Sequence, residues 1–183
     1  DYDILDVISE SVKQMSEGEL LQIEKAKKLD IDEETYFEII KKKTASLISS
    51  CCKIAAVSVN SSSSEIKKIT RIGMHIGIAF QIKDDLFDYG KKTIGKPRGI
   101  DIKQKKITLP LIYTLNNVNK SEKRWLINSL KKNKKSRALI NQIISLVKER
   151  GGLDYAVQIM KKYHKLSLDD LDTFKAVSYT HLT

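Results

Sequence analysis

Gln81, Asp84, Asp85 and Asp88 fall at positions i, i+3, i+4 and i+7 of a helical stretch and form one polar stripe, with only Lys83 of opposite charge among them. Like charges at i, i+4 repel. The stretch also runs toward Gly90, where the end of a helix already presents negative charge, so each acid there loses roughly 0.3–1 kcal/mol instead of gaining it. A cluster placed against both rules is accounted for if a cation compensates. Asp84 and Asp88, one turn apart, suit a hard divalent ion that takes oxygen ligands and keeps several waters. With a carboxylate pair on the protein side and phosphates completing the shell, magnesium fits better than calcium.

The segment that follows carries the opposite sign. Gly95-Lys96-Pro97-Arg98-Gly99-Ile100-Asp101 leads into Lys105-Lys106-Ile107-Thr108-Leu109-Pro110. Glycines let a backbone approach a ligand, and lysines just past an acidic metal cluster can hold phosphate oxygens. Upstream, Lys43-Thr44 sits beside an apolar face of Thr44, Leu47, Ile48, Cys51 and Ala55 at helical spacing. A lysine and a threonine there can reach into a cavity between helices, or the lysine can simply snorkel to water.

The elements that would position these residues read as helices almost throughout. A first helix is predicted over 3–28. Asp30-x-x-Glu33 has capping-box-like spacing and opens a long helix to about Val59; Ser62-x-x-Glu65 has the same spacing and opens a third, ending near Gly90. On that third helix Ile72, Ile76, Ala79, Phe80 and Phe87 are expected to face a core. Residues 90–102 hold Gly90, Gly95, Pro97 and Gly99 and read as a loop. Further helices are predicted over 103–116, 122–132, 137–149 and 153–172, with Gly151-Gly152 separating the last two. The class is all-α, an antiparallel helical bundle.

Composition removes several alternatives. At 183 residues and 41% apolar, the chain can bury a real core. No run of about 18 apolar residues marks a transmembrane segment, and the first residues have no signal-peptide character. Cys51 and Cys52 are adjacent on a helix and point apart, so a disulfide framework is not expected and a reduced, cytoplasmic protein is. The net charge of +10 comes almost entirely from scattered lysines. They lack the interleaved aromatics of a base-stacking surface, so nucleic acid is not an expected partner.

Together these pieces resemble the C-terminal half of the trans-type polyprenyl diphosphate synthases. The run from Gly77 to Gly90 is similar to that family's second aspartate-rich motif. The Gly-Lys-Pro-x-Gly-x-Asp and Lys-x-Thr-Leu-Pro segments follow it in family order, Glu17-Gly18-Glu19-Leu20-Leu21-Gln22 and Lys43-Thr44 precede it, and Gly151-Gly152-Leu153-Asp154-Tyr155-Ala156 resembles a late family segment. The resemblance implies a bundle of the isoprenoid synthase type, with its N-terminal helices outside this chain. It implies condensation of an allylic prenyl diphosphate with isopentenyl diphosphate, dependent on Mg2+, by an enzyme that is a homodimer at full length. Asp84 and Asp88 would then ligate magnesium with Asp85 in support. Lys43, Lys96 and Lys106 would hold the allylic diphosphate. Thr44, Gln81 and the Lys43 carbonyl would stabilise the developing cation, and Phe80 would line the isopentenyl side.

The chain departs from the pattern in three places. The family's first aspartate-rich motif is absent, and the chain alone is expected to be inactive. Gln104-Lys105 stands where the family has Glu-Gly. Residues 177–183, Val-Ser-Tyr-Thr-His-Leu-Thr, do not resemble the family's C-terminal helices and read as a non-native tail after a synthase segment of residues 1–176. A terpene cyclase of related fold and a non-catalytic subunit of a heteromeric synthase remain the alternatives.

Overall fold

The computed structural model describes residues 2–28, 32–90 and 98–174. Lys96 and the proposed tail at 177–183 lie outside the described residues, as does Asp30. The described residues contain helices and no strand: α1 (Tyr2–Lys28), α2 (Glu33–Ile40), a π-helical segment (Lys41–Ala45), α3 (Ser46–Ser58), α4 (Ser63–Phe87), α5 (Ile100–Lys103), α6 (Leu109–Asn117), α7 (Lys120–Lys131), α8 (Arg137–Glu149) and α9 (Gly152–Leu171).

Local chemistry sets the boundaries. Ser62 and Glu65 form the expected reciprocal cap of α4, with the Ser62 amide donating to Glu65 Oε2 at 2.8 Å and the Glu65 amide to Ser62 Oγ. Asn119 and Glu122 do the same for α7. The cap of α2 is Asp32, which accepts from the Thr35 amide at 2.8 Å. The helix predicted over 103–116 starts late, and the loop predicted over 90–102 ends in a helical turn, α5. Lys105 has φ +62°, a left-handed conformation that ends α5, and Thr108 is extended, so α6 starts only at Leu109 with Pro110 in its first turn.

α4 is the axis of the bundle, with α3 along one side and α9 along the other. Gly73 and Gly77 make the first contact possible. A Cβ on Gly73 would lie 2.8 Å from Ser49 Cα, and one on Gly77 would lie 2.5 Å from Ala45 Cα. Two glycines four residues apart thus let α4 lie close against α3 and the π segment. α1 lies across α3 and the π segment, while α6 and α8 pack on α9. One continuous core joins Ile78 and Ile82 of α4 to Leu109, Leu111, Ile112, Ile143, Ile144, Val147 and Ala156. Each large side chain buried there contributes roughly 1.5–3 kcal/mol.

Two expected apolar faces are corrected. On α4, Ile72 and Ala79 are buried, but Ile76, Phe80 and Phe87 are exposed, Phe80 by 58%, because α4 turns Ile78 and Ile82 to the core and leaves the other side only partly covered. On α3, Leu47, Cys51 and Ala55 are exposed, and the packed positions are Ala45, Ser46 and Ser49. The cause is the π segment. Buried positions run Tyr36, Ile39, Ile40, where a regular helix would continue to 43 and 44, and resume only at Ala45. The wider turn shifts the buried face along the chain and leaves Lys43 and Thr44 half-exposed.

Candidate active site

A cavity of about 200 Å³ opens where α1, α2, the π segment, α4 and the α5–α6 turn meet. Lys43, Thr44, Gln81, Asp84, Asp85 and Lys106 line it, so six of the residues singled out from the sequence share one space. Two described candidates are elsewhere. Phe80 lies in a separate shallow groove with Ile76, Met160 and His164. Asp88 is turned away, its carboxylate accepting from the amides of Ile100 at 2.8 Å and Asp101 at 3.1 Å. That contact ties α5 to the end of α4 and thereby sets where Asp101 and Lys106 stand.

Lys43 is held on the wall facing α1. Its Nζ donates to Gln22 Oε1 at 2.7 Å and pairs with Glu19. α1 reaches this position because Gly18 has no side chain; a Cβ there would lie 2.8 Å from the Lys43 backbone nitrogen. The stretch from Glu17 to Gln22 therefore works as a seat for the π segment. On the opposite wall, Lys106 Nζ donates to Asp101 Oδ1 at 3.0 Å. Burial works against the Lys106 charge, but the hydrogen bond to Asp101 and the charges of Asp85 and Asp84 outweigh it and hold the ammonium above its ordinary pKa. Lys105 points elsewhere, with its Nζ on Asn133 Oδ1 at 2.7 Å.

The three aspartates of the stripe have three environments. Asp84 is exposed at the rim, and no described donor engages its carboxylate. Asp85 is only 7% exposed, and both of its oxygens are occupied, Oδ2 by the Tyr36 hydroxyl at 2.8 Å and Oδ1 by Gln81 Nε2 at 3.0 Å. Burial pushes the Asp85 carboxyl up to about 7; the two hydrogen bonds pull against this, while the charges of Asp101 and Asp84 add to it. Burial also raises Asp88, with Asp101 adding to the shift and the amides of α5 opposing it. Among the described residues no three acidic, histidine or cysteine groups form a ready-made metal cage. An ion that keeps its waters and binds phosphate oxygens needs only one or two carboxylates, and Asp84 meets that requirement. In this respect the donor set fits magnesium.

Two titratable cavity residues were not singled out from the sequence. Tyr36 is buried beneath the site, and its signal was available: it lies seven residues before Lys43, two turns away on one helix. Asp101 lines the cavity from the loop side. It stood in a recognised segment, but nothing in that segment told which way its side chain turns.

The chain as a whole has counterparts among known proteins. The model of the polyprenyl synthetase family matches residues 1–147. The chain is 30% identical over 175 residues to geranylgeranyl diphosphate synthase of Sulfolobus acidocaldarius, covering 94% of this chain and 53% of that protein. The geranylgeranyl pyrophosphate synthase of Bacteroides thetaiotaomicron superposes with a TM-score of 0.88 at 35% identity, over 97% of this chain and 59% of that one. A polyprenyl synthase of Caulobacter crescentus, solved with calcium and isoprenyl diphosphate, superposes with a TM-score of 0.90 at 26% identity, over 97% of this chain and 55% of that one. The chain thus spans about half the length of the curated relatives it matches. A family model matching most of the chain, relatives at this identity and an all-α fold shared with solved prenyl synthases lead to one assignment: the chain belongs to the polyprenyl synthetase family.

Proposed function

We propose that the full-length protein carrying this chain is a prenyltransferase that joins an allylic diphosphate to isopentenyl diphosphate and releases a linear all-trans polyprenyl diphosphate. The observation that carries this reading is the single cavity in which Lys43, Lys106 and Asp84 surround the Thr44–Gln81 pair. Two cations and a metal-seeking carboxylate suit a diphosphate, and neutral oxygens between them suit a cationic carbon.

Lys43 and Lys106 bind the diphosphate of the allylic substrate from opposite walls. Each is already held by an acid, Glu19 or Asp101, which keeps the ammonium in place before substrate arrives. Asp84 would hold magnesium, which would supply charge neutralisation for the departing diphosphate. Thr44 and Gln81 turn oxygen dipoles toward the carbon that the diphosphate leaves, and the double bond of isopentenyl diphosphate attacks that carbon. Loss of a proton from the adduct completes a chain five carbons longer. Ile39, Ile40 and Ile107 make part of the wall apolar and exclude water that would trap the cation as an alcohol. Lys96 and Phe80 belong to the same proposal on the strength of the motifs they occupy. The free cysteines suit a reducing compartment such as the cytoplasm.

The test is Asp84→Asn in the full-length protein, assayed with an allylic diphosphate and isopentenyl diphosphate. Turnover should fall on the order of 100-fold or more. Turnover near the wild-type value at saturating magnesium refutes the assignment, and a cyclised hydrocarbon in place of a linear diphosphate moves the protein to the terpene cyclases.

A further inference from the structure

We infer that Tyr36 is a positioning residue, acting through Asp85 to fix which way the Gln81 amide and the Thr44 hydroxyl point. Four side chains on three elements form one unbranched hydrogen-bonded chain. The Tyr36 hydroxyl donates to Asp85 Oδ2 at 2.8 Å, Gln81 Nε2 donates to Asp85 Oδ1 at 3.0 Å, and Thr44 Oγ1 donates to Gln81 Oε1 at 2.8 Å. The direction of every bond follows from its foot. In its ionised form Asp85 only accepts, so both groups touching it then present hydrogens. The nitrogen of the Gln81 amide is thereby committed to Asp85, and its oxygen is left at the other end. That oxygen takes the hydrogen of Thr44, and the lone pairs of Thr44 are left for the cavity.

Remove Tyr36 and the chain loses the bond that holds the carboxylate at its second oxygen. Asp85 is then free to rotate or to take a water, and the Gln81 amide can turn over, which would aim N–H groups instead of oxygens at the substrate. The burial of the foot supports a wiring role. Tyr36 is 4% exposed and Asp85 is 7% exposed, while Thr44 and Gln81, at the cavity end, are only partly covered. On this account Asp85 works through Gln81 and not as a ligand of the metal, whose carboxylate is Asp84. The inference rests on the reading of Thr44 and Gln81 as cation-stabilising groups, and it extends the site to a residue on α2.

The experiment compares Tyr36→Phe, Asp85→Asn and Thr44→Val, singly and as the Tyr36→Phe/Thr44→Val double variant, in the full-length protein. Tyr36→Phe should lower kcat about tenfold with KM for both substrates and the magnesium half-saturation within about twofold. The double variant should be no slower than Thr44→Val alone, since the chain acts as a unit. Asp85→Asn keeps the shape but presents a hydrogen where an acceptor is required, and it should reproduce the kcat loss if Tyr36→Phe proves unstable. A second readout is independent of turnover: solvent exchange of the Gln81 side-chain amide protons, followed by NMR in glutamine-labelled protein, should accelerate about tenfold in both variants. Multiplying losses in the double variant, a magnesium requirement raised as in Asp84→Asn, or unchanged Gln81 exchange each overturn the inference. If the wild-type protein makes no condensation product, the proposed function fails, and the exchange measurement still decides the wiring.

Discussion

Replacing Gly77 by alanine should damage catalysis more than stability, because the clash it creates falls on the residue next to Thr44. The added Cβ would sit 2.5 Å from Ala45 Cα and 2.7 Å from Ala45 Cβ. Carbon atoms meet at about 3.4 Å or more, so α4 and the π segment must separate by roughly 0.9 Å. Neither obstacle is the far end of a flexible side chain, so rotamer changes cannot absorb the strain. Overpacking of this kind costs about 1–3 kcal/mol, and the better helix propensity of alanine offsets up to about 1 kcal/mol of it. With that offset in full, a net loss of about 0–2 kcal/mol remains, which in a chain of this size lowers Tm by no more than about 8 °C. The functional cost is of another order. Ala45 precedes Ser46 and follows Thr44 in the same segment, and a displacement near 1 Å at a positioning group can cost about 100-fold in rate. Thermal denaturation and steady-state kinetics of Gly77→Ala in the full-length protein measure both. A kcat within twofold of wild type would show that the two helices do not meet as described.

Lys106→Ala should lower kcat/KM for the allylic substrate by about 10- to 100-fold, the value of a direct charge-assisted contact. Lys105→Ala should cost well under tenfold and less in salt, because Lys105 faces Asn133 instead of the cavity; equal losses would mean that the turn places its lysines differently. A pH effect is expected at the α4–α9 contact. Burial lowers the pKa of His75, an effect the Asp170 charge opposes, and its Nδ1 has no hydrogen-bond partner. The unfolded chain therefore takes up the proton first as pH falls below about 6.5, and the stability His75 contributes when neutral is lost there. Chemical denaturation at pH 7.5 and 5.5 should show wild type losing stability relative to His75→Gln across that interval, and a constant difference would refute it.

The helices were legible because their signals are local. The reciprocal cap of Ser62 and Glu65, the apolar repeat of Ile140, Ile143, Ile144 and Val147, and the Gly151-Gly152 break are each contained within a few residues. The α5–α6 turn was not, although its clue is present: Lys105 stands where the family has glycine, and it adopts the left-handed backbone that glycine favours. Side-chain identity alone does not announce a positive φ at lysine. The shared cavity was legible in its membership but not in its roles. Three aspartates in one stripe look equivalent as letters, and only their neighbours separate an exposed Asp84 from a doubly bonded Asp85 and a capping Asp88.

The least legible feature is also the one that makes the site. A sequence pattern for a helix assumes 3.6 residues per turn throughout, and from Tyr36 to Ser49 that assumption is wrong by the extra residue of Lys41–Ala45. With a regular helix, positions 43 and 44 would continue the buried face of Tyr36, Ile39 and Ile40, and a lysine there would be driven from the core. The wider turn shifts that burial to Ala45 and Ser49, against the glycines of α4, and carries Lys43 and Thr44 round to the cavity. Gly18 on α1 and Gly77 on α4 meet the segment from two sides at distances no side chain would allow. The glycine-bearing acidic motif of α1, the Lys-Thr pair and the closely packed glycines of α4 are therefore parts of one device. They hold a wide helical turn in place so that a charged residue and a hydroxyl face the cavity from what would otherwise be the interior of a packed helix.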